Sequence, residues 1–129
     1  MAKKSNRLYY IIGFIAIVII AFLIFSNKET EPGKYDQLAQ CIVESGTKMY
    51  SAWWCPHCSE QKKAFGSSFK ILEEGGAHIE CSPGGIRYFS EFCRSQGIQG
   101  TPTWEFPEGT KQSGKLPLEV IAQKINCTL

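Results

Sequence analysis

Six cysteines carry the reactive chemistry of this 129-residue chain: Cys41, Cys55, Cys58, Cys81, Cys93 and Cys127. Two of them stand close together in Cys55-Pro56-His57-Cys58. Proline at the first helical position is a helix-start signal, so the motif reads as a helix opening with Cys55 at its N-cap or in its first turn. There the free backbone N–H groups and the positive end of the helix dipole favour thiolate over thiol. Cys58 falls one turn further on, within disulfide reach of Cys55 but less exposed. That asymmetry defines a nucleophile and a resolving thiol. His57 brings a second donor or partial positive charge toward the Cys55 sulfur. Stabilising the thiolate stabilises the reduced form, which makes the disulfide a stronger oxidant. Dithiol exchange of this kind needs no cofactor and no metal. Taken alone, a Cys-x-x-Cys pair also suits a structural disulfide or half of a zinc site.

Elements must position that pair, and their signals can be read along the chain. Tyr35, Leu38, Ala39, Ile42 and Val43 recur at helical spacing up to Gly46. Thr47 to Trp53 is apolar and aromatic, short enough for a buried strand. The helix opened by Pro56 carries Ala64, Phe65, Phe69 and Leu72 on one side. Gly66-Ser67-Ser68 predicts a bend in it, and Gly75-Gly76 its end. Ala77 to Cys81 reads as a second strand, and Ser82-Pro83-Gly84-Gly85 as a loop. Ile86, Tyr88, Phe89, Phe92 and Cys93 predict a further helix stopped at Gly97. Thr103–Phe106 and Thr110–Ser113 predict a hairpin across Pro107-Glu108-Gly109. Leu116 to Asn126 closes the chain as a helix. A strand that runs directly into a helix opening with Cys-x-x-Cys, followed later by a Thr-Pro step before a strand, is the thioredoxin pattern. The expected class is therefore α/β, a thioredoxin-like fold preceded by one transmembrane helix. Trp53 and Trp104 read as packing residues, Met49 as core and His78 as a surface or edge residue.

Three separated segments carry a more specific likeness: Trp53-Trp54-Cys55-Pro56-His57-Cys58, Ile79-Glu80-Cys81-Ser82-Pro83-Gly84-Gly85, and Cys93 through Gly97-Ile98-Gln99-Gly100-Thr101-Pro102-Thr103-Trp104. Together they resemble the thioredoxin-like domain fused to vitamin K epoxide reductase homologues of bacteria and plants, across nearly all of residues 34–129. The Cys-Pro-His-Cys core is also similar to that of the periplasmic thiol oxidase DsbA. The resemblance implies that Cys55 exchanges with client thiols while Cys58 resolves, with Pro56 and His57 setting the pair's reactivity. It also implies a cis peptide at Pro102 facing the disulfide. Thr101, with Trp54 beside it, then offers backbone groups to an extended client segment. The same resemblance pairs Cys81 with Cys93, which leaves Cys41 and Cys127 for each other, although the first and last helices of such folds usually lie on opposite sheet faces. Both pairs read as structural staples, with an electron relay through Cys81–Cys93 as the alternative. Two departures stand out. Many thioredoxins carry a buried carboxylate six residues before the first cysteine, where this chain has Met49. The family's quinone-reducing four-helix membrane domain has no counterpart in this sequence.

Residues 8–25 form an uncharged, proline-free apolar run, about 27 Å as a helix and so close to the hydrocarbon thickness of a bilayer. Large residues at its exit, Phe22 to Phe25, argue for an uncleaved anchor over a signal peptide. Lys3, Lys4 and Arg7 precede the run, and Glu29 and Glu31 follow it. The positive-inside rule thus leaves residues 1–7 cytoplasmic and exports the remainder: a linker over 26–33 and the domain over 34–129. From residue 33 onward ten Lys/Arg balance ten Asp/Glu, so no basic field exists to hold a nucleic acid. Six cysteines in a small exported domain favour disulfides. The sequence thus predicts a single-pass, membrane-anchored thiol–disulfide oxidoreductase on the extracytoplasmic side, oxidising or isomerising cysteines of exported proteins. Its expected partners are reduced exported proteins and a separate quinone-linked membrane oxidase of the vitamin K epoxide reductase or DsbB kind. The alternatives are a reductase of exported disulfides, or a copper- or zinc-handling module using Cys55, Cys58 and His57 or His78.

Overall fold

The structure, a computed structural model, describes residues 6–26 and 32–129. Contacts divide the chain into two units, the second running from Pro32 to Leu129. Most of the expected linker, and Lys3, Lys4, Glu29 and Glu31 with it, lie outside the described residues. In the first unit, helix α1 spans Arg7–Ser26. It is long and apolar enough to cross a membrane, and none of the window Arg7–Ile24 is buried.

The second unit is a mixed α/β structure built on one four-stranded sheet. Helix α2 (Asp36–Ser45) ends at Gly46, whose φ of 79° a side chain would strain and whose N–H returns to the Val43 carbonyl. This turn delivers the chain into β1 (Lys48–Ser51). Helix α3 (Pro56–Phe65), a 3₁₀ turn over Gly66–Ser68 and α4 (Phe69–Glu74) follow. The glycine-serine triplet therefore breaks the predicted long helix into two pieces. Then come β2 (His78–Glu80), a 3₁₀ turn at Pro83–Gly85, α5 (Glu91–Ser95), β3 (Thr103–Glu105), β4 (Lys111–Ser113) and α6 (Leu118–Lys124). The sheet order is β2-β1-β3-β4. β1 pairs parallel with β2, while β3 runs antiparallel to both β1 and β4.

Alternation along β1 divides the core. Met49 joins a large cluster with Leu38 and Ile42 of α2, Phe65 and Leu72 of the third and fourth helices, Trp104, and Ile121 of α6. Tyr50, one residue on, points the other way into a smaller cluster with Cys81, Cys93 and Ile98. The Tyr50 hydroxyl donates to Glu105 at 2.6 Å. That bond holds the Glu105 carboxyl below its ordinary range, and burial together with the same bond pushes the Tyr50 phenol up. Leu38, Ile42, Leu72 and Ile121 are fully buried, so truncating any one of them to alanine costs about 2–5 kcal/mol.

Three expectations are corrected here. The helix expected from Ile86 to Gly97 is confined to Glu91–Ser95. Gly84 and Gly85 adopt positive φ and Ile86 is extended, so Phe89 packs from a loop while Tyr88 stays exposed. Trp53, expected as packing, is half-exposed. Its indole N–H donates to the Ile86 carbonyl at 3.0 Å, and Arg87 lies over its ring. His78 does sit on an edge strand, but its side chain is only 10% exposed. The ring shares a 2.6 Å hydrogen bond with the Ser51 hydroxyl and meets Phe69 edge-on at 5.0 Å. Strand pairing with β1 and the approach of α4 close over it.

Burial pushes His78 down to about 4 from an ordinary 6.5, with the Lys62 charge adding to the effect. Glu73, whose carboxylate lies 3.9 Å from Nδ1, does not offset this. The unfolded chain therefore binds a proton as pH falls through 6.5, while the folded chain stays neutral at this site until about 4. The stability that His78 contributes is complete above 6.5 and is lost progressively between 6.5 and 4. Urea midpoints measured across that window fall in the native chain and flatten in His78→Gln.

Candidate active site at the start of helix α3

The turn between β1 and α3 sets the first cysteine. The Cys55 N–H bonds to the Ala52 carbonyl at 3.0 Å, and the Cys55 carbonyl accepts the Ser59 N–H. Cys55 is the N-cap of α3 in extended conformation, with Pro56 at the first helical position. Its sulfur accepts the Cys58 N–H at 3.1 Å, so one of the helix's unpartnered donors is aimed at it. Cys55 and Cys58 are joined as a disulfide with their Cα atoms 5.3 Å apart. Cys55 is 5% exposed and Cys58 only 1%. Cys55 Sγ also lies 3.3 Å from the Thr101 carbonyl oxygen. The Thr101–Pro102 peptide is cis; Pro102 is buried while Thr101 is partly open.

His57 makes a contact that the sequence did not announce. Its ring is exposed, and its polar contact is with Glu60, 3.7 Å from Nδ1, rather than with the Cys55 sulfur. Helix geometry explains this, because residues at i and i+3 share a face and Glu60 is one turn on. Glu60 is in turn held at 2.7 Å by Lys115, which keeps its carboxyl below the ordinary range. Trp54, expected at the client surface, is half-buried. It stacks on Phe89 with ring centres 6.1 Å apart, and its indole donates to the Ser82 hydroxyl.

Two positioning groups carry no sequence signal of their own. Gln61, polar and fully buried in α3, bonds both backbone groups of Leu116: its amide nitrogen donates to the carbonyl at 3.0 Å and its amide oxygen accepts the N–H at 2.7 Å. This clamp ties α3, one turn past Cys58, to the segment leading into α6. One oxygen of Glu80 accepts both the Trp53 and Ser82 N–H groups, joining the loop before Cys55 to the loop after β2. A glutamine after Cys58 and a glutamate ending a strand could only be recognised once these loops were brought together.

The other cysteines form two further disulfides. Cys81 and Cys93, both fully buried, bridge the end of β2 to α5 with Cα atoms 5.7 Å apart. Cys41 of α2 joins Cys127 beyond α6 at 6.2 Å. The expected separation of the first and last domain helices onto opposite faces does not hold, since Leu38, Ile42, Ile121 and Ala122 share one cluster. Among the described residues, no group of three or more His, Cys, Asp or Glu side chains converges to hold a metal ion. His78, proposed above as a ligand, is engaged with Ser51.

No protein-family model matches this chain. The chain is 34% identical over 96 residues to the protein named thiol-disulfide oxidoreductase LTO1 of Arabidopsis thaliana, an alignment covering 71% of this chain and 24% of that protein. The chain thus spans about a quarter of the length of that relative. This similarity and the paired cysteines support a thiol redox role.

The Gln61 clamp gives a direct test of how the site is held. Gln61→Leu keeps the volume but strands the N–H and C=O of Leu116. It should lower unfolding free energy by about 1–3 kcal/mol for each orphaned group, read from urea denaturation.

Proposed function

We propose that the chain is a membrane-anchored, extracytoplasmic thiol–disulfide oxidoreductase of thioredoxin-like fold, similar to the domain fused to vitamin K epoxide reductase homologues. It oxidises or isomerises cysteines of exported proteins. The observation that carries this reading is the Cys55 sulfur at the N-cap of α3, accepting the Cys58 N–H and facing the Thr101 carbonyl. A client thiolate attacks Cys55 Sγ, on the less buried of the two cysteines. The Cys55–Cys58 bond breaks and Cys58 leaves as thiolate. A second client thiolate then attacks the client sulfur of the mixed disulfide, and Cys55 leaves as thiolate. The client gains a disulfide, and its two electrons rest on Cys55 and Cys58. The Cys58 N–H and the dipole of α3 favour the negative charge on Cys55 in that last step. The partly open backbone at Thr101 supports docking of an extended client beside the reacting sulfur. The apolar helix α1 supports anchoring. Recharging then falls to a separate quinone-linked membrane oxidase, to which the two electrons pass.

In cells, Cys58→Ala should accumulate mixed disulfides through Cys55, because the intermediate cannot be resolved internally, and Cys55→Ala should trap almost none. Thiol quenching, non-reducing gels and identification of the adducts check this. Equal trapping by both variants overturns the role assignment, and adducts confined to cytoplasmic proteins overturn the topology. Equilibration of the full chain with glutathione buffers should give Cys55–Cys58 a potential of roughly −120 to −200 mV. A value at or below that of thioredoxin favours a reductase.

A further inference from the structure

The two disulfides outside α3 differ in access. Cys81 and Cys93 are fully buried, so no dissolved thiol reaches them in the folded chain. Cys41 and Cys127 are both partly exposed, and both line a surface pocket of about 370 Å³ between α2 and the end of the chain. That volume lies in the range of small-molecule sites. Gln37, Gln40, Glu44, Asn126 and Thr128 complete its lining, which presents more apolar than polar surface to it. Gln40 donates to Glu44 at 3.1 Å along the same face of α2.

We propose that Cys41–Cys127 is a second thiol-exchange site, specific for low-molecular-weight peptidyl thiols that carry a free ammonium group, glutathione being the simplest probe. Carboxamides supply donors and acceptors suited to the peptide groups and carboxylates of such a thiol. Glu44 supplies a counter-charge for its ammonium.

The attack falls on Cys127. Cys41 is held within the regular turns of α2, while Cys127 lies past the end of α6 on the chain's final, largely exposed residues. The incoming thiolate bonds to Cys127 Sγ, the bond to Cys41 breaks, and Cys41 leaves as thiolate and takes a proton from water. A second thiol, attacking as thiolate, bonds to the peptidyl sulfur of the mixed disulfide and releases Cys127. The sum is one protein disulfide and two thiols converted to one protein dithiol and one small-molecule disulfide. The small thiol is the reductant, and the two thiol protons end on Cys41 and Cys127. This chemistry is separate from that at Cys55 and Cys58 and does not depend on its direction.

The experiment uses the full chain in detergent with reduced glutathione, quenched by alkylation at intervals and read by peptide mapping. A Cys55→Ala/Cys58→Ala variant run in parallel removes competing exchange. A glutathionyl adduct on Cys127 should appear without denaturant, with Cys41–Cys127 opening at least about tenfold faster than Cys81–Cys93. Glu44→Gln should slow the reaction with glutathione and leave the reaction with 2-mercaptoethanol, which has no ammonium, unchanged. Opening only after denaturant is added, or at the same rate as Cys81–Cys93, overturns the site. An adduct on Cys41 overturns the direction of attack. Equal sensitivity of both thiols to Glu44→Gln, or of neither, overturns the recognition. Trapping of clients by Cys58→Ala reports on the function proposed above and is unaffected by any of these results.

Discussion

A single hydrogen bond, from the Cys58 N–H to the Cys55 sulfur, sets the conditions under which everything else in the domain operates. It requires Cys55 to be outside the helix in extended conformation and Cys58 to be one turn inside it. It therefore requires the strand, the turn and the helix start to meet within a few residues. β1 ends at Ser51, the Ala52 carbonyl turns the chain, and Pro56 starts α3 with a φ already suited to it. Much of the surrounding framework holds this junction still. Gln61 and Glu60 tie α3 to residues 115 and 116, and Glu80 ties the approaching loop to the loop after β2.

The loop after β2 contacts the same junction from further away. Trp54 rests on Phe89 and bonds Ser82, whose hydroxyl in turn donates to the Tyr88 carbonyl. That loop has little regular structure of its own, and the buried Cys81–Cys93 bridge closes it at both ends. Through the Trp54 contacts with Phe89 and Ser82, this bridged loop is joined to the turn that carries Cys55.

The elements flanking Cys55 and Cys58 were readable from sequence because local signals agreed with the final packing. The apolar spacing of α2, the glycine after it and the Cys-Pro start of α3 each specify one conformation. Residues 86–90 misled because their apolar spacing imitates a helix, while Gly84 and Gly85 in left-handed conformation redirect the chain. Gly75 had a second reason to be glycine beyond ending a helix. A Cβ there would lie 2.5 Å from a Val43 methyl, so glycine lets α4 approach α2. His78 and Gln61 were illegible for a common reason: a polar residue reveals nothing of the partner that will bury it until distant segments meet.

The bridge between Cys41 and Cys127 spans 86 residues of sequence and has a mechanical meaning. Tension applied between Pro32 and Leu129 would pass from α2 across the sulfurs to the chain end, bypassing the sheet. Only the short segments outside the bridge could lengthen under such a load. The β1–α3 junction lies within the closed loop, so its geometry would be shielded from stretching for as long as that covalent link is intact.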